Sequence, residues 1–286
     1  MRSLVPPEVG VVGTDPFKAA WLISLAALGL GFGLPHLSLR WTGLGALLAF
    51  LTLCLGHSVG LHRGLIHQTY RAGPLVRGAL AYLFVQTGLG GPLSWARLHA
   101  VRDYWQNRGD CPRYFRYDHG LWTDLVWTQL FRFEPADDRA LCRLHPGLLE
   151  DRWLRFLEAS WPLHVLGAAL LLLALAGPDA VAVSVALRVA VGILGHAYVG
   201  YRAHARGAQP FLVEGAAESG TNLPWLGVLS FGEGFHNNHH AFPRSARMGL
   251  GRWQIDAGWA VLRLLAACGL VEGLLEAGLV EEQSAG

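Results

Sequence analysis

The chain has 286 residues, of which 52% are hydrophobic and only 15% are charged, and its mean hydropathy is +0.31. This balance exceeds what the core of a soluble protein requires, so the composition predicts an integral membrane protein. The formal net charge of +2 is too small to indicate a nucleic-acid partner, and the sequence contains neither a phosphate-binding loop nor a dinucleotide-binding glycine motif.

Four apolar segments are predicted to be transmembrane helices, because each is near or slightly below the ~20 residues that a helix needs to cross a bilayer. They lie at about residues 19–34, 41–61, 161–176 and 180–200. Four crossings put both termini on the same side of the membrane. Since the long middle loop and the tail hold nearly all the arginines, the positive-inside rule predicts that these segments and both termini are cytoplasmic.

The segment at residues 76–93 is also apolar, but Gly88, Gly90, Gly91 and Pro92 interrupt it. We expect a re-entrant or interfacial segment here, because a fifth crossing would place the histidines before and after it on opposite sides of the membrane. The remaining chain, residues 62–160 and 201–286, is predicted to form a cytoplasmic helical cap. The predicted fold class is therefore all-α, with residues 1–286 in a single membrane domain.

Three histidines at intervals of five residues close the second apolar segment: His57, His62 and His67. On an ideal α-helix, side chains five residues apart diverge by roughly 140°. His62 and His67 can therefore share a site only if the helix ends or unwinds between them, and Gly64 allows that break. His57 lies deeper, where a buried histidine with a hydrogen bond to a neighbouring carbonyl is favoured over a metal ligand.

A second candidate pair is His99 and Asp103, four residues apart in the segment that runs from Trp95 to Trp105. Two side chains at this spacing lie on one helical face and can reach one metal ion. A solvated histidine and carboxylate pair on a helix has the same spacing, so this pattern by itself leaves both interpretations open.

The strongest pattern is the run from Gly232 to Pro243, which contains His236, His239 and His240. At positions i, i+3 and i+4 of a helix, three imidazoles fall on one face and can converge on one point. Imidazole suits iron, copper, zinc and nickel alike. Histidine-rich tracts also occur on solvated loops, but the ligand interpretation is favoured because ligand-like spacings recur upstream.

The order of these motifs resembles the membrane fatty acid desaturases of the acyl-CoA desaturase type. His62 to His67 matches the HxxxxH box of that family, His99 begins its HxxHH box, and His236 to Pro243 matches its HNxHHxFP box. The resemblance extends over about residues 41–270. It implies a histidine-rich di-iron centre that uses O2 to remove hydrogens from a fatty acyl chain, bound as acyl-CoA or acyl-lipid. It also implies membrane lipid as a partner and an external electron-transfer protein as the electron source.

The chain departs from the family pattern at two places. Arg102 and Asp103 stand where the middle box has two histidines, and Glu214 and Glu218 align with an NxxxH motif before the last box. In one hypothesis Asp103 and Glu218 bind metal in place of imidazoles, with Glu214 as a bridging or supporting group. In the other, Arg102 occupies the space of a missing metal ion and pairs with Asp103 or Glu218.

The first hypothesis is favoured, because six box histidines remain and carboxylates can bind iron. His119, His196 and His204 are further sources of a ligand, although interfacial or hydrogen-bonded roles are favoured for them. The predicted function is O2-dependent desaturation of a long acyl chain with two irons, or one as the alternative. Hydroxylation at the same centre and a catalytically silent relative stay open. The predicted ligands are His62, His67, His99, Asp103, Glu218, His236, His239 and His240, and the predicted supporting residues are Glu214, Arg102, His57 and Glu233.

Overall fold

Four long apolar helices dominate the computed structural model, which describes residues 4–277. They are long and apolar enough to span a membrane, and they run over Pro16–His36, Leu39–Ile66, Arg152–Ala176 and Pro178–Ala205. We call them the first to fourth spans. The prediction of an all-α membrane protein with four transmembrane helices is confirmed. Each span is longer than the apolar segment that predicted it, because the helices continue into more polar sequence. The predicted cap residues from 278 onwards lie outside the described range.

The spans begin and end at residues whose chemistry explains their positions. The side chains of Asp15, Ser38 and Asp151 cap the first three spans by accepting hydrogen bonds from backbone N–H groups of the first turn. The third span ends at Gly177, whose positive φ of 85° suits glycine, and Pro178 begins the fourth span at once. The third and fourth spans are therefore joined by a single residue.

Shorter elements connect the spans and follow the fourth one. Parts of the first, second and fourth spans are π-helical, over Gly29–Gly33, Phe50–Ile66 and Ala182–Leu187. The other α-helices are Pro74–Val85, Pro92–Gln106, Leu121–Leu130, Arg139–Leu144, Pro224–Leu229, His236–Ala241 and Ala257–Ala267. Two small antiparallel sheets pair Gly10–Thr14 with Phe131–Pro135 and Arg71–Ala72 with Val271–Glu272.

The apolar segment after the second span does not form a fifth crossing. Its helix, Pro74–Val85, has 12 residues, fewer than a crossing needs. It packs closely on the second span, where a Cβ at Gly56 would lie 2.5 Å from the backbone of Leu83. Gly88 and Gly90, with φ of 73° and 129°, then turn the chain into Pro92–Gln106. The interruption predicted at these glycines is a turn between two helices.

Candidate metal centre

Four histidines from three separate elements form the first histidine group: His62, His67, His99 and His239. One ligand atom of each lies within 4.8 Å of those of the other three. The end of the second span supplies two of the rings, Pro92–Gln106 supplies one, and the short helix His236–Ala241 supplies the fourth. The ring centre of His239 is 4.7 Å from that of His62 and 4.5 Å from that of His67. All four residues were predicted as ligands from the sequence.

His62 and His67 meet without the helix break that was expected at Gly64. The second span continues to Ile66 as a π-helix, and the His67 N–H donates to the His62 carbonyl at 3.0 Å. A π-helix closes its hydrogen bonds over five residues, so side chains five apart lie near the same face. Gly64 serves close packing instead, because a Cβ there would lie 2.6 Å from the Tyr70 hydroxyl. The requirement that the helix ends or unwinds between the two histidines is therefore met by π-helical winding, and not by a break at Gly64.

Three further histidines form the second histidine group: His204, His236 and His240. His204 lies in the last turn of the fourth span, and its Nδ1 is 2.8 Å from the Gly200 carbonyl. That contact makes Nδ1 the donor and leaves Nε2 free for the group. The sequence had offered His204 only as a less favoured ligand. A usable signal was its position, since the second and fourth spans both end in a histidine just before a turn to polar sequence.

Both groups have the donor set that a transition metal requires. His62 Nε2, His67 Nε2 and His239 Nδ1 in the first group have no hydrogen-bond partner among residues 4–277, although they are buried. The same holds for His204 Nε2 and His236 Nδ1 in the second group. Leaving a buried polar atom unpaired costs about 1–3 kcal/mol, so several such atoms aimed at one point fit a metal ion.

The protonation state of the histidines also suits a metal. Burial lowers the pKa of His67 to about 3, and burial lowers the pKa of His240 to about 4. Both rings are therefore neutral at pH 7 and keep a lone pair for a metal.

A family model described as fatty acid desaturase matches residues 39–267. This range includes the second, third and fourth spans, and it includes every histidine of both groups. The chain belongs to the fatty acid desaturase family. The resemblance inferred from the histidine boxes is thereby confirmed, and the protein is an integral membrane oxidoreductase of the desaturase type.

Curated relatives of this desaturase act on acyl lipids and on acyl-CoA, according to their names. The chain is 29% identical to Delta-9 acyl-lipid desaturase 2 of Arabidopsis thaliana, over 80% of this chain and 74% of that one. It is 29% identical to the sn-2 palmitoyl-lipid 9-desaturase of a Nostoc species, over 92% of this chain and 86% of that one. It is 28% identical to the acyl-CoA C20 Delta5-desaturase of Anemone leveillei, over 80% of this chain and 73% of that one.

The two glutamates aligned with the NxxxH motif lie outside both histidine groups. Oε1 of Glu218 accepts a hydrogen bond from the backbone N–H of Tyr117 at 3.0 Å, and Glu214 is exposed. Gly200 and His204 have the same spacing as the motif, and His204 stands with the histidines of the last box. His204, and not Glu218, therefore lies beside His236 and His240. The role of Glu218 as a ligand stays a prediction that these contacts do not support.

Arg102 and Asp103 take different places beside the histidines. Asp103 Oδ2 is 3.0 Å from His99 Nδ1 and 3.9 Å from His67 Nε2, at the edge of the first group. Burial works to raise the pKa of Asp103, but the neighbouring histidines more than offset burial and hold this pKa below its ordinary value. Arg102 instead donates a hydrogen bond to the Tyr117 hydroxyl at 3.0 Å. Among the described residues, it makes no hydrogen bond to Asp103 or Glu218. Asp103 is thus an available anionic ligand.

Glu233 lies against one histidine of the first group. Its Oε2 lies 2.5 Å from His62 Nδ1, while its Oε1 accepts from Ser58 Oγ at 2.6 Å and from Arg63 at 3.2 Å. The two atoms of the Glu233–His62 contact are close but do not meet the geometry of a hydrogen bond. The carboxylate charge beside Nδ1 favours the tautomer with its proton there, which leaves the Nε2 lone pair available to a metal. The prediction that Glu233 supports a ligand stays a prediction, and this contact gives it a mechanism.

We expect Glu233→Gln to weaken iron binding by about 10–100-fold, because the neutral amide holds the proton on His62 less firmly. Iron retention during titration with a chelator measures the effect in detergent-purified protein. Glu214→Gln, at an exposed position, is the matched control and should retain iron like the wild type. Equal retention in both variants would show that Glu233 has no influence on the metal.

A largely apolar cavity of about 620 Å³ adjoins the histidines. It reaches from Leu37 and Thr42, at the far end of the second span, to His62, His99 and His236. Aliphatic residues and glycines make up about half of its lining, while the polar residues include the histidines, Arg102 and Arg188. Cavities of this kind hold small apolar ligands. This one could not be traced from the sequence, because its walls come from separate spans.

Proposed function

We propose that this desaturase introduces a double bond into a long fatty acyl chain, with O2 as the oxidant and two irons as the cofactor. The observation that supports this most is the position of two buried histidine groups at one end of an apolar cavity. Bound iron would supply reductive activation of O2, which an unactivated methylene group requires because acid–base chemistry cannot break its C–H bond.

The ligand sets follow from the two groups. His62, His67, His99 and His239 would hold one iron, with Asp103 as an additional carboxylate beside it. His204, His236 and His240 would hold the other. Arg102 lines the cavity and lies against Tyr117, whose ring stacks on His204 with centres 4.1 Å apart. This contact places a cation near the second group, so occupancy by one iron is the alternative.

The chain's own residues would bind and position the substrate. The aliphatic lining binds an acyl chain by burying it, at roughly 25 cal/mol for each Å² of apolar surface removed from water. His62, His99 and His236 contribute to the same cavity wall, so a methylene group at that level faces both histidine groups. Burial of the histidines keeps bulk water away from that position.

The proposal includes the orientation of the chain in the membrane, its electron donor and the form of its substrate. Residues 1–286 act as one domain, with both termini and the histidine groups on the cytoplasmic side. An external electron-transfer protein supplies electrons there. The names of the relatives support either an acyl-lipid or an acyl-CoA as the substrate.

Expression of the chain in a host that lacks its own desaturases tests the proposal. Gas chromatography of the total fatty acids should show new monounsaturated acyl chains, provided that a compatible electron donor is co-expressed. A hydroxylated acyl chain in place of an alkene would show that the centre hydroxylates the substrate and does not desaturate it. Unchanged fatty acids, with iron bound and the donor present, would contradict desaturation.

We expect Asp103→Ala to reduce iron to fewer than two per chain and to lower desaturation by at least about tenfold, because an anionic group beside His99 and His67 is lost. Elemental analysis and product analysis of the same preparation measure both effects. Asp138→Ala is the matched control, since Asp138 is a half-buried aspartate that pairs with Arg97 and belongs to neither histidine group. Wild-type iron content in Asp103→Ala would exclude the carboxylate as a ligand.

A further inference from the structure

Two histidines in the cavity wall belong to neither histidine group. His57 of the second span and His196 of the fourth span face each other, with their Nε2 atoms 2.9 Å apart and their ring centres 4.6 Å apart. Both are half-buried and both line the apolar cavity. Trp95 lies edge-on to both rings, with its ring centre 6.1 Å from that of His57 and 4.8 Å from that of His196. The pair is therefore held in place from a third side.

The hydrogen bond between the two rings determines what the pair can offer to a ligand. A neutral imidazole has one N–H, so one ring donates from Nε2 and carries a bare Nδ1. The other ring accepts at Nε2 and must carry its proton on Nδ1. Among residues 4–277, the contact between the rings is the one hydrogen bond that either ring makes. The pair thus presents one free acceptor and one free donor.

Such a pair is costly in a cavity meant for hydrocarbon alone. A polar atom that loses water without gaining a hydrogen bond costs about 1–3 kcal/mol. Aliphatic residues such as Leu53 and Leu61 line the same cavity and would bind a plain chain without this cost. A hydroxyl group both donates and accepts, so it suits a pair that offers one free acceptor and one free donor, whichever of the two Nδ1 atoms it meets.

The position of the pair indicates where along the ligand this oxygen would lie. His57 precedes His62 by five residues, so it lies about one turn of the π-helix deeper along the span. The ring centres of His57 and His62 are 6.4 Å apart. An oxygen bound by the pair would therefore lie a few carbons from the carbon that faces the histidine groups, on the side away from the cap.

We propose that His57 and His196 form a subsite for an oxygen substituent on the acyl chain, above all a hydroxyl group. The substrate class would then be a long acyl chain that is already oxygenated a few carbons beyond the position of desaturation. This inference rests on the proposed function in that it takes the cavity to hold an acyl chain. It adds a specificity element that lies outside both histidine groups.

Ligand binding tests the subsite without turnover. Detergent-purified holoprotein, without an electron donor, is titrated with a saturated long-chain acyl methyl ester and with matched esters that carry one hydroxyl at successive mid-chain positions. One position should bind up to about tenfold more tightly than the plain ester, because a hydrogen bond contributes about 0.5–1.5 kcal/mol. If no hydroxylated ester binds more tightly than the plain ester, the proposal is overturned.

A double variant tests whether the pair causes the preference. His57→Leu with His196→Leu removes both polar groups together and should bind all the esters alike, with the plain ester bound at least as tightly as by the wild type. His164→Leu, at a half-buried histidine of the third span outside the cavity lining, should keep the preference. A preference that survives in the double variant would overturn the proposal.

The wild-type titration decides the question alone if the double variant does not fold. Product analysis is a separate measurement, so the two failures are distinguishable. A chain that desaturates nothing would contradict the proposed function, while the comparison of esters would still report on the subsite.

Discussion

Replacing His239 with alanine should abolish desaturation and remove iron from the first histidine group. His239 is 4% exposed, and its ring lies within 5 Å of those of His62 and His67, measured between ring centres. It also adjoins the second group, with its ring centre 5.3 Å from that of His236. We therefore expect product to fall by more than about 100-fold, beyond the loss typical of residues that merely support a ligand.

Iron content and fatty acid products of the His239→Ala protein measure this effect, with His164→Ala as the matched control. His164 contacts Ser160 in the third span and belongs to neither group. The control should retain both iron and activity. If His239→Ala kept the wild-type iron content and made wild-type amounts of product, the first group could not be the metal site.

Replacing Arg63 with methionine should produce the largest loss of stability that we expect from a single substitution. Its side chain has no exposed surface and joins three parts of the chain. It contacts Asp256 at 3.0 Å, Glu233 at 3.2 Å and the Ala246 carbonyl at 2.9 Å. Removing one member of a buried ionic network leaves uncompensated charge behind, at a cost of about 3–5 kcal/mol. The midpoint of thermal unfolding in detergent should fall by roughly 10 °C.

Arg71→Met is the matched control for Arg63→Met. Arg71 pairs with Glu272 at 3.2 Å, but both side chains are 74% exposed. Exposed ion pairs contribute about 0–1 kcal/mol, so this variant should unfold within a few degrees of the wild type. Asp256 caps the helix Ala257–Ala267, so the buried network joins this helix to the second span. Similar unfolding midpoints for the two variants would mean that the network does not stabilise this junction.

The sequence predicted the parts of the centre that depend on short-range spacing. His236, His239 and His240 lie on one short helix, as their spacing predicted. Their rings do not converge on one point, however, because His239 belongs to the first group while His236 and His240 belong to the second. The four spans were predicted for a similar reason, because the length of an apolar run is a local property.

The features that the sequence missed depend on how separate segments meet. His204 joins the second group because the fourth span ends at the same level as the helix His236–Ala241, and no local pattern records that level. The π-helical winding that brings His62 and His67 together was missed because standard helix periodicity was assumed. The contact between His57 and His196 joins residues 139 positions apart, on different spans.

The number of irons bound per chain tests the central claim most directly. Elemental analysis of detergent-purified wild-type protein, expressed with iron, should give two irons per chain, one for each histidine group. A chain that binds no iron under these conditions would contradict both groups as metal sites. A value of one would contradict the second group, where Arg102 lies against Tyr117 beside His204.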